Sequence, residues 1–280
     1  MSSSGGSGRR ASVRGFLEMK QEGRKIVAMT AYDFLFARLL EEGGVDLILV
    51  GDSLGQVVLG YDSTIPVTLD EMIHHARAVR KGAAGTFVVL DMPFLTYQVN
   101  AEEALRNAGR VMKEAGVEAV KLEGGSSTTC DTVRALVTAG IPVMGHIGLT
   151  PQSVHALGGY RVQGRGEEAA QRIMAEAKAL EAAGAFSIVL ELIPGPLAQE
   201  ISAALTIPTI GIGAGEGCDG QVLVLYDALG LNKSFKPKFL KRFADLHEVA
   251  VEGVRAYARE VREGTYPGPD HVFGSAPGSS

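Results

Sequence analysis

The chain alternates between short unbroken apolar runs and longer amphipathic stretches. Leu47-Ile-Leu-Val50 sets the pattern: four aliphatic side chains without a polar interruption predict a strand buried on both faces. The run stops at Gly51, where the backbone can turn, and Asp52 and Ser53 follow. The same design recurs at Val88-Val-Leu-Asp91, Ala119-Val-Lys-Leu-Glu123, Pro142-Val-Met-Gly-His146 and Ile188-Val-Leu-Glu191. A carboxylate at the end of a fully buried strand is costly unless it meets a metal, a substrate or a cation.

Helical and turn signals fill the intervals. Val13 to Gln21 is expected as a short helix ahead of a first strand, Ile26 to Ala31. A helix carrying Phe34, Ala37, Leu39 and Leu40 ends at Gly43-Gly44, and a long loop through Tyr61 to Pro66 leads into a helix over Leu69 to Ala83. Strand three spans Thr86 to Leu90, with Asn100 as the cap of the helix that follows. A helix to Gly140 follows strand four, and a long polar loop after His146 precedes one from Glu167 to Ala183. A short helix follows Pro196, strand seven is Thr209 to Ile212, and Gln221 to Tyr226 completes the count as an eighth strand. An amphipathic stretch from Phe239 to Glu263 closes the chain. Ser/Gly-rich Met1 to Arg10 and the tail Gly274 to Ser280 are expected to be disordered.

Eight strands alternating with helices predict a parallel α/β domain, and a closed (β/α)8 barrel over residues 13–273 fits the count. No dinucleotide-type glycine fingerprint follows the first strand, which argues against a doubly wound sheet. A length of 280 residues suits one barrel, and 46% apolar residues supply its core. The net charge of −5 and the lack of a basic cluster exclude nucleic acid as an expected partner. Two cysteines, Cys130 and Cys218, lack metal-ligand spacing and fit a reducing compartment. No apolar run reaches membrane-spanning length and no signal-peptide core opens the chain, so a cytoplasmic location is expected.

In such a barrel the groups at the C-terminal strand ends converge on one mouth. Asp52, Asp91 and Glu123 offer only oxygen donors, which suits a hard cation such as Mg2+; the alternative is that each caps a helix or ties a loop. Lys121 lies two residues before Glu123 and so shares its face. It is expected to meet a substrate carboxylate or enolate oxygen, or else to pair with Asp91 or Glu123; a Schiff base beside a metal site would be redundant. His146 is a candidate hydrogen-bond donor to substrate, or a structural histidine. Glu191 follows an apolar run that should raise its pKa and suit a general base, with a helix-capping role as the alternative. Gly211-Ile-Gly-Ala-Gly215 is either a backbone anion site or a tight turn. Gly158 to Gly166 is either a mobile loop offering Arg161 and Arg165 to anions or an ordinary solvated loop.

Several of these stretches are long enough to compare as motifs. Val50-Gly-Asp-Ser-Leu-Gly55, Lys121-Leu-Glu-Gly-Gly125, Gly145-His-Ile-Gly-Leu-Thr-Pro-Gln-Ser153, Gly158-Gly-Tyr-Arg-Val-Gln-Gly-Arg-Gly166 and Gly211-Ile-Gly-Ala-Gly215 together resemble the ketopantoate hydroxymethyltransferase family. The resemblance runs from about Phe16 to Phe273, in the family's order. It implies transfer of a hydroxymethyl group from 5,10-methylenetetrahydrofolate to 3-methyl-2-oxobutanoate, giving 2-dehydropantoate in pantothenate synthesis. It also implies a (β/α)8 barrel, Mg2+, and a large homo-oligomer, typically a decamer. By resemblance Asp52 and Asp91 are metal-binding carboxylates assisted by Glu123, Ser53 and Lys121 contact substrate, and Glu191 accepts the proton. The rival readings are a 2-oxo acid carbon–carbon lyase of the phosphoenolpyruvate mutase and isocitrate lyase type, which would carry a nucleophilic Cys in a mouth loop, a non-catalytic binding barrel, and a purely structural oligomer subunit.

Overall fold

The computed structural model describes residues 11–273; the two stretches expected to be disordered lie outside these residues. The chain divides into two compact units, up to Leu225 and from Tyr226. The first holds α1 (Val13–Gln21), β1 (Ile26–Thr30), α2 (Phe34–Glu42), β2 (Leu47–Val50), α3 (Leu54–Val57), α4 (Leu69–Gly82) and β3 (Phe87–Asp91). It continues with α5 (Ala101–Ala115), β4 (Ala119–Glu123), α6 (Ser127–Thr138), β5 (Val143–Gly148), α7 (Glu167–Ala182), β6 (Ser187–Glu191), α8 (Gly195–Ala204), β7 (Thr209–Ile212) and β8 (Gly220–Leu223). All strands pair in parallel with their sequence neighbours, and β8 pairs with β1, so the sheet closes into an eight-stranded barrel. Across the helices and strands of the described residues, none is a helix long and apolar enough to cross a membrane.

The unbroken apolar runs face two ways. Ile48 and Val50 point outward under the helices, while Leu47 and Leu49 join Phe87, Val89, Ala119, Met144, Val189 and Ile210 in the barrel interior. α1 closes the N-terminal end: Phe16 packs edge-on against Phe87 at 5.1 Å and stacks on Phe186 at 6.2 Å. Lys20 ties this helix across the same end, donating to the carbonyls of Ser202 (2.7 Å) and Ile207 (3.0 Å) and to Asp219 (2.9 Å). The interior is thus apolar and sealed below, which leaves the opposite rim for polar groups.

Helix caps follow ordinary chemistry. Asn100 accepts from the Glu103 N–H as expected, Ser126 starts α6, and Thr68 with Glu71 forms a full capping box on α4. Several boundaries differ from the sequence expectations by a residue or two, and three differences have a visible cause. β5 runs two residues past His146, because Gly148 still pairs with Glu191. The eighth strand stops at Leu223; the Leu225 N–H bonds instead to the Thr30 hydroxyl, and α9 (Leu225–Ala228) begins there. In the second unit, helix α10 starts at Leu246 rather than Phe239. The Phe243 N–H is taken by the Ala228 carbonyl, and Arg242 binds the carbonyls of Asn232 and Lys233, so residues 239–245 form a tied turn. α10 buries no residue and exposes Val249, Val254, Tyr257 and Val261.

Candidate active site

Strand register assembles the site. Asp91 ends β3 directly beside Lys121 of β4, Glu123 ends β4 beside His146 of β5, and Val189 of β6 pairs with His146, so Glu191 two residues on shares that inward face. On each strand the same inward series is apolar low in the barrel and ionisable at the rim: Phe87, Val89, Asp91; Ala119, Lys121, Glu123; Val189, Glu191. Asp52 reaches the rim by a different route. Gly51 turns the chain after β2, and any Cβ there would stand 2.9 Å from the Ser53 hydroxyl.

Asp52, Asp91 and Glu123 each offer an oxygen such that all three lie within 4.8 Å of one another, and all are buried. None caps a helix. The Lys121 ammonium sits on Asp91, 2.7 and 2.6 Å from its two oxygens, and 3.9 Å from Glu123. The ion pair weighed as its alternative role is therefore formed. His146 bridges two carboxylates, with Nδ1 3.4 Å from Glu123 and Nε2 3.2 Å from Glu191. Neither contact is aligned as a full hydrogen bond. Ser53 Oγ pairs with the Tyr32 hydroxyl at 2.9 Å beside Asp52.

The charges explain one another. Burial, then repulsion from Asp91 and Glu123, pushes the Asp52 carboxyl well above its usual range. Burial likewise raises Asp91, against the pull of Lys121. Burial also works to raise Glu123, but His146, Lys121 and the Gln152 N–H outweigh it and leave the group below its ordinary value. Lys121 is raised because Asp91, Glu123 and Asp52 together overcome its desolvation. His146 is pushed up to about 9: burial and Lys121 oppose its charge, and Glu123 and Glu191 prevail.

Glu191 does not have the apolar surroundings its preceding run suggested. Strand neighbours point to opposite faces, so the side chain meets His146 of the adjacent strand and remains 19% exposed. The chain turns sharply just after it: Leu192 has φ +45°, held by hydrogen bonds from its N–H to Ile212 and to its carbonyl from Gln163. Past β7, Gly213 and Gly215 take φ +64° and +80°, and a Cβ on Gly215 would stand 3.2 Å from Gly195 Cα. Arg161 and Arg165 are exposed.

The donor set fits a hard divalent cation. Its ligands are oxygens only, and Glu123 Oε1 is buried without a hydrogen-bond partner. Two polar residues of the mouth, Gln152 and Tyr97, had no role assigned from sequence. Gln152 lies in the Gly145–Ser153 motif, but an amide in a polar loop carries no distinguishing signal.

A parallel eight-stranded barrel with an oxygen-donor cluster, a buried lysine and a carboxylate–imidazole–carboxylate array at its C-terminal mouth belongs to the (β/α)8 enzymes. The family model described as ketopantoate hydroxymethyltransferase matches residues 10–269. A 3-methyl-2-oxobutanoate hydroxymethyltransferase of Heliobacterium modesticaldum is 59% identical over 92% of this chain and 93% of its own length. One of Syntrophus aciditrophicus is 56% identical over 95% and 97%. The chain belongs to the ketopantoate hydroxymethyltransferase family. Among solved structures, phosphonopyruvate hydrolase in complex with oxalate and Mg2+ shares the fold at TM-score 0.60 and 16% identity, covering 94% of this chain and 91% of that one. A 2,3-dimethylmalate lyase of the phosphoenolpyruvate mutase and isocitrate lyase superfamily does so at TM-score 0.57 and 18% identity, covering 94% and 88%.

Proposed function

We propose that the chain transfers the hydroxymethyl group from 5,10-methylenetetrahydrofolate to 3-methyl-2-oxobutanoate through an enolate, with Asp52, Asp91 and Glu123 holding Mg2+ and Glu191 as the base. The observation that carries this reading is the shared rim: the acidic cluster and Glu191 lie on either side of His146. When bound, Mg2+ would supply Lewis-acid polarisation of the 2-oxo group. Glu191 takes the C3 proton, and the C–H electron pair becomes the enolate double bond. Asp91 occupies two N–H bonds of Lys121, leaving the third for the oxygen on which charge develops. His146 Nε2 beside Glu191, together with Ser53 at the end of the Asp52 turn, contacts the 2-oxo acid. The enolate carbon attacks the folate methylene carbon as the first of its two C–N bonds breaks, and water oxygen then displaces the second folate nitrogen to give the hydroxymethyl group. The two nitrogens leave as tetrahydrofolate, carrying the proton taken by Glu191 and one proton of the water.

The lyase reading has little support. Both cysteines are buried, Cys130 on α6 and Cys218 leading into β8, and burial raises both thiols. Proton NMR of 3-methyl-2-oxobutanoate in D2O tests the proposal. The C3–H signal is expected to disappear with enzyme and Mg2+ before any folate is added; a signal that persists, or exchange indifferent to Mg2+, would sink it.

We also place the enzyme in the cytoplasm as a homo-oligomer, a decamer. Exposed apolar side chains support the oligomer: Leu35 and Leu39 on α2, and Val249 and Val254 on α10. Light scattering should give a mass near ten chains, and a monomer mass would refute it.

A further inference from the structure

Gln152 stands in the short turn after β5, 100 residues from Asp52 in sequence, and is buried. Its side-chain amide uses all four of its hydrogen-bonding positions. Nε2 donates to Asp52 Oδ2 and to the Met92 carbonyl, both at 2.9 Å. Oε1 accepts from the Tyr97 hydroxyl at 2.9 Å and from Gln98 Nε2 at 3.0 Å. The reverse orientation of the amide would set oxygen against the Met92 carbonyl and nitrogen against the Gln98 amide, so the partners dictate the orientation. The backbone N–H of the same residue donates to Glu123 Oε2 at 3.0 Å, and the Tyr97 hydroxyl in turn accepts from the Glu123 N–H at 3.0 Å.

One residue thus grips one oxygen of Asp52 and one of Glu123, two carboxylates on different strand ends. The other Glu123 oxygen, Oε1, is buried without a hydrogen-bond partner, 3.4 Å from His146 Nδ1 and 3.9 Å from the Lys121 ammonium. A free carboxylate would rotate, and two buried anions would swing apart; fixing one oxygen of each leaves the second as a preset ligand.

We propose that Gln152 is the positioning residue of the cation site, holding Asp52 and Glu123 in the orientation that receives a divalent ion. The assignment rests on the cation reading of the Asp52, Asp91 and Glu123 cluster. It names Gln152 as a determinant of metal affinity rather than of the chemistry, and Tyr97 as its support.

Electron paramagnetic resonance of Mn2+ with the full-length protein, without any substrate, tests this. Wild type is expected to show one saturable site. Gln152→Met keeps the length of the side chain and loses both N–H donors. It is expected to weaken Mn2+ binding about 10- to 100-fold, the range found when an outer-sphere partner is lost, and to change the zero-field splitting of the bound ion. Tyr97→Phe keeps Gln152 and removes the hydroxyl that feeds Oε1; a several-fold loss in the same direction is expected, and this variant decides the matter if Gln152→Met does not fold. A folded variant with wild-type affinity and spectrum overturns the assignment. So does a lowered metal-free melting temperature with an unchanged spectrum, which would make Gln152 a packing residue only. A wild-type protein without a saturable site overturns the cation reading and this one together, whereas an intact wild-type site indifferent to Gln152→Met overturns this one alone.

Discussion

Glu191→Gln is expected to abolish exchange of the C3 proton of 3-methyl-2-oxobutanoate while leaving Mg2+-dependent binding of the 2-oxo acid nearly intact. The amide has the same shape as the carboxylate but cannot take a proton, and a positioned base contributes roughly 100- to 10,000-fold to such a step. Glu191 lies outside the Asp52, Asp91 and Glu123 cluster, so the cation's oxygens are untouched. Binding and chemistry should therefore separate: the dissociation constant of the 2-oxo acid stays near wild type, and turnover collapses. His146 also reports the change. Two carboxylates hold its imidazolium, Glu123 on Nδ1 and Glu191 on Nε2, and the variant neutralises one of them. Its NMR titration midpoint should fall from about 9. Exchange at the wild-type rate in Glu191→Gln would remove Glu191 as the base.

Asp91→Asn should cost the protein its metal site. Asp91 is both a ligand candidate and the partner of Lys121, which it contacts with both oxygens. An amide donates poorly to a hard cation, and its loss acts on the first coordination shell. Divalent affinity should therefore fall by more than about 100-fold, beyond the range for outer-sphere losses. Lys121 would keep Glu123, at 3.9 Å, and the charge of Asp52 as its anionic neighbours. Breaking a buried ion pair costs about 3–5 kcal/mol. Here the loss should be smaller, about 2 kcal/mol, because asparagine keeps one acceptor for the ammonium and removes the repulsion of Asp91 with Asp52 and with Glu123. Calorimetric titration with Mg2+ measures the first effect and urea unfolding of the metal-free protein the second. A variant with undiminished Mg2+ affinity would take Asp91 out of the coordination shell.

Much of this site is legible in the sequence alone. Lys121 and Glu123 are two apart in a run with no other polar residue, and that period alone puts them on one face. Asn100 announced its helix because a cap has a local chemical signature. Gln152 had no such signature, since its importance comes from Asp52, Met92, Tyr97 and Glu123, which it meets only in the folded chain. The setting of Glu191 escapes the sequence for the same reason. Its chain neighbours Ile188 to Leu190 are apolar, yet its spatial neighbour His146 comes from another strand.

The chain's local pattern determined the alternation of eight strands with helices and the placing of acidic or basic groups at strand ends, because periodicity and capping act over a few residues. It could not decide which side of each strand faces inward, nor how far neighbouring strands are staggered. Those depend on barrel closure, and the stagger sets Asp91 beside Lys121 and Glu123 beside His146. That Lys121 pairs with Asp91 was likewise decided by the tertiary structure, because the register of β3 and β4 brings its ammonium to 2.6 Å from that carboxylate.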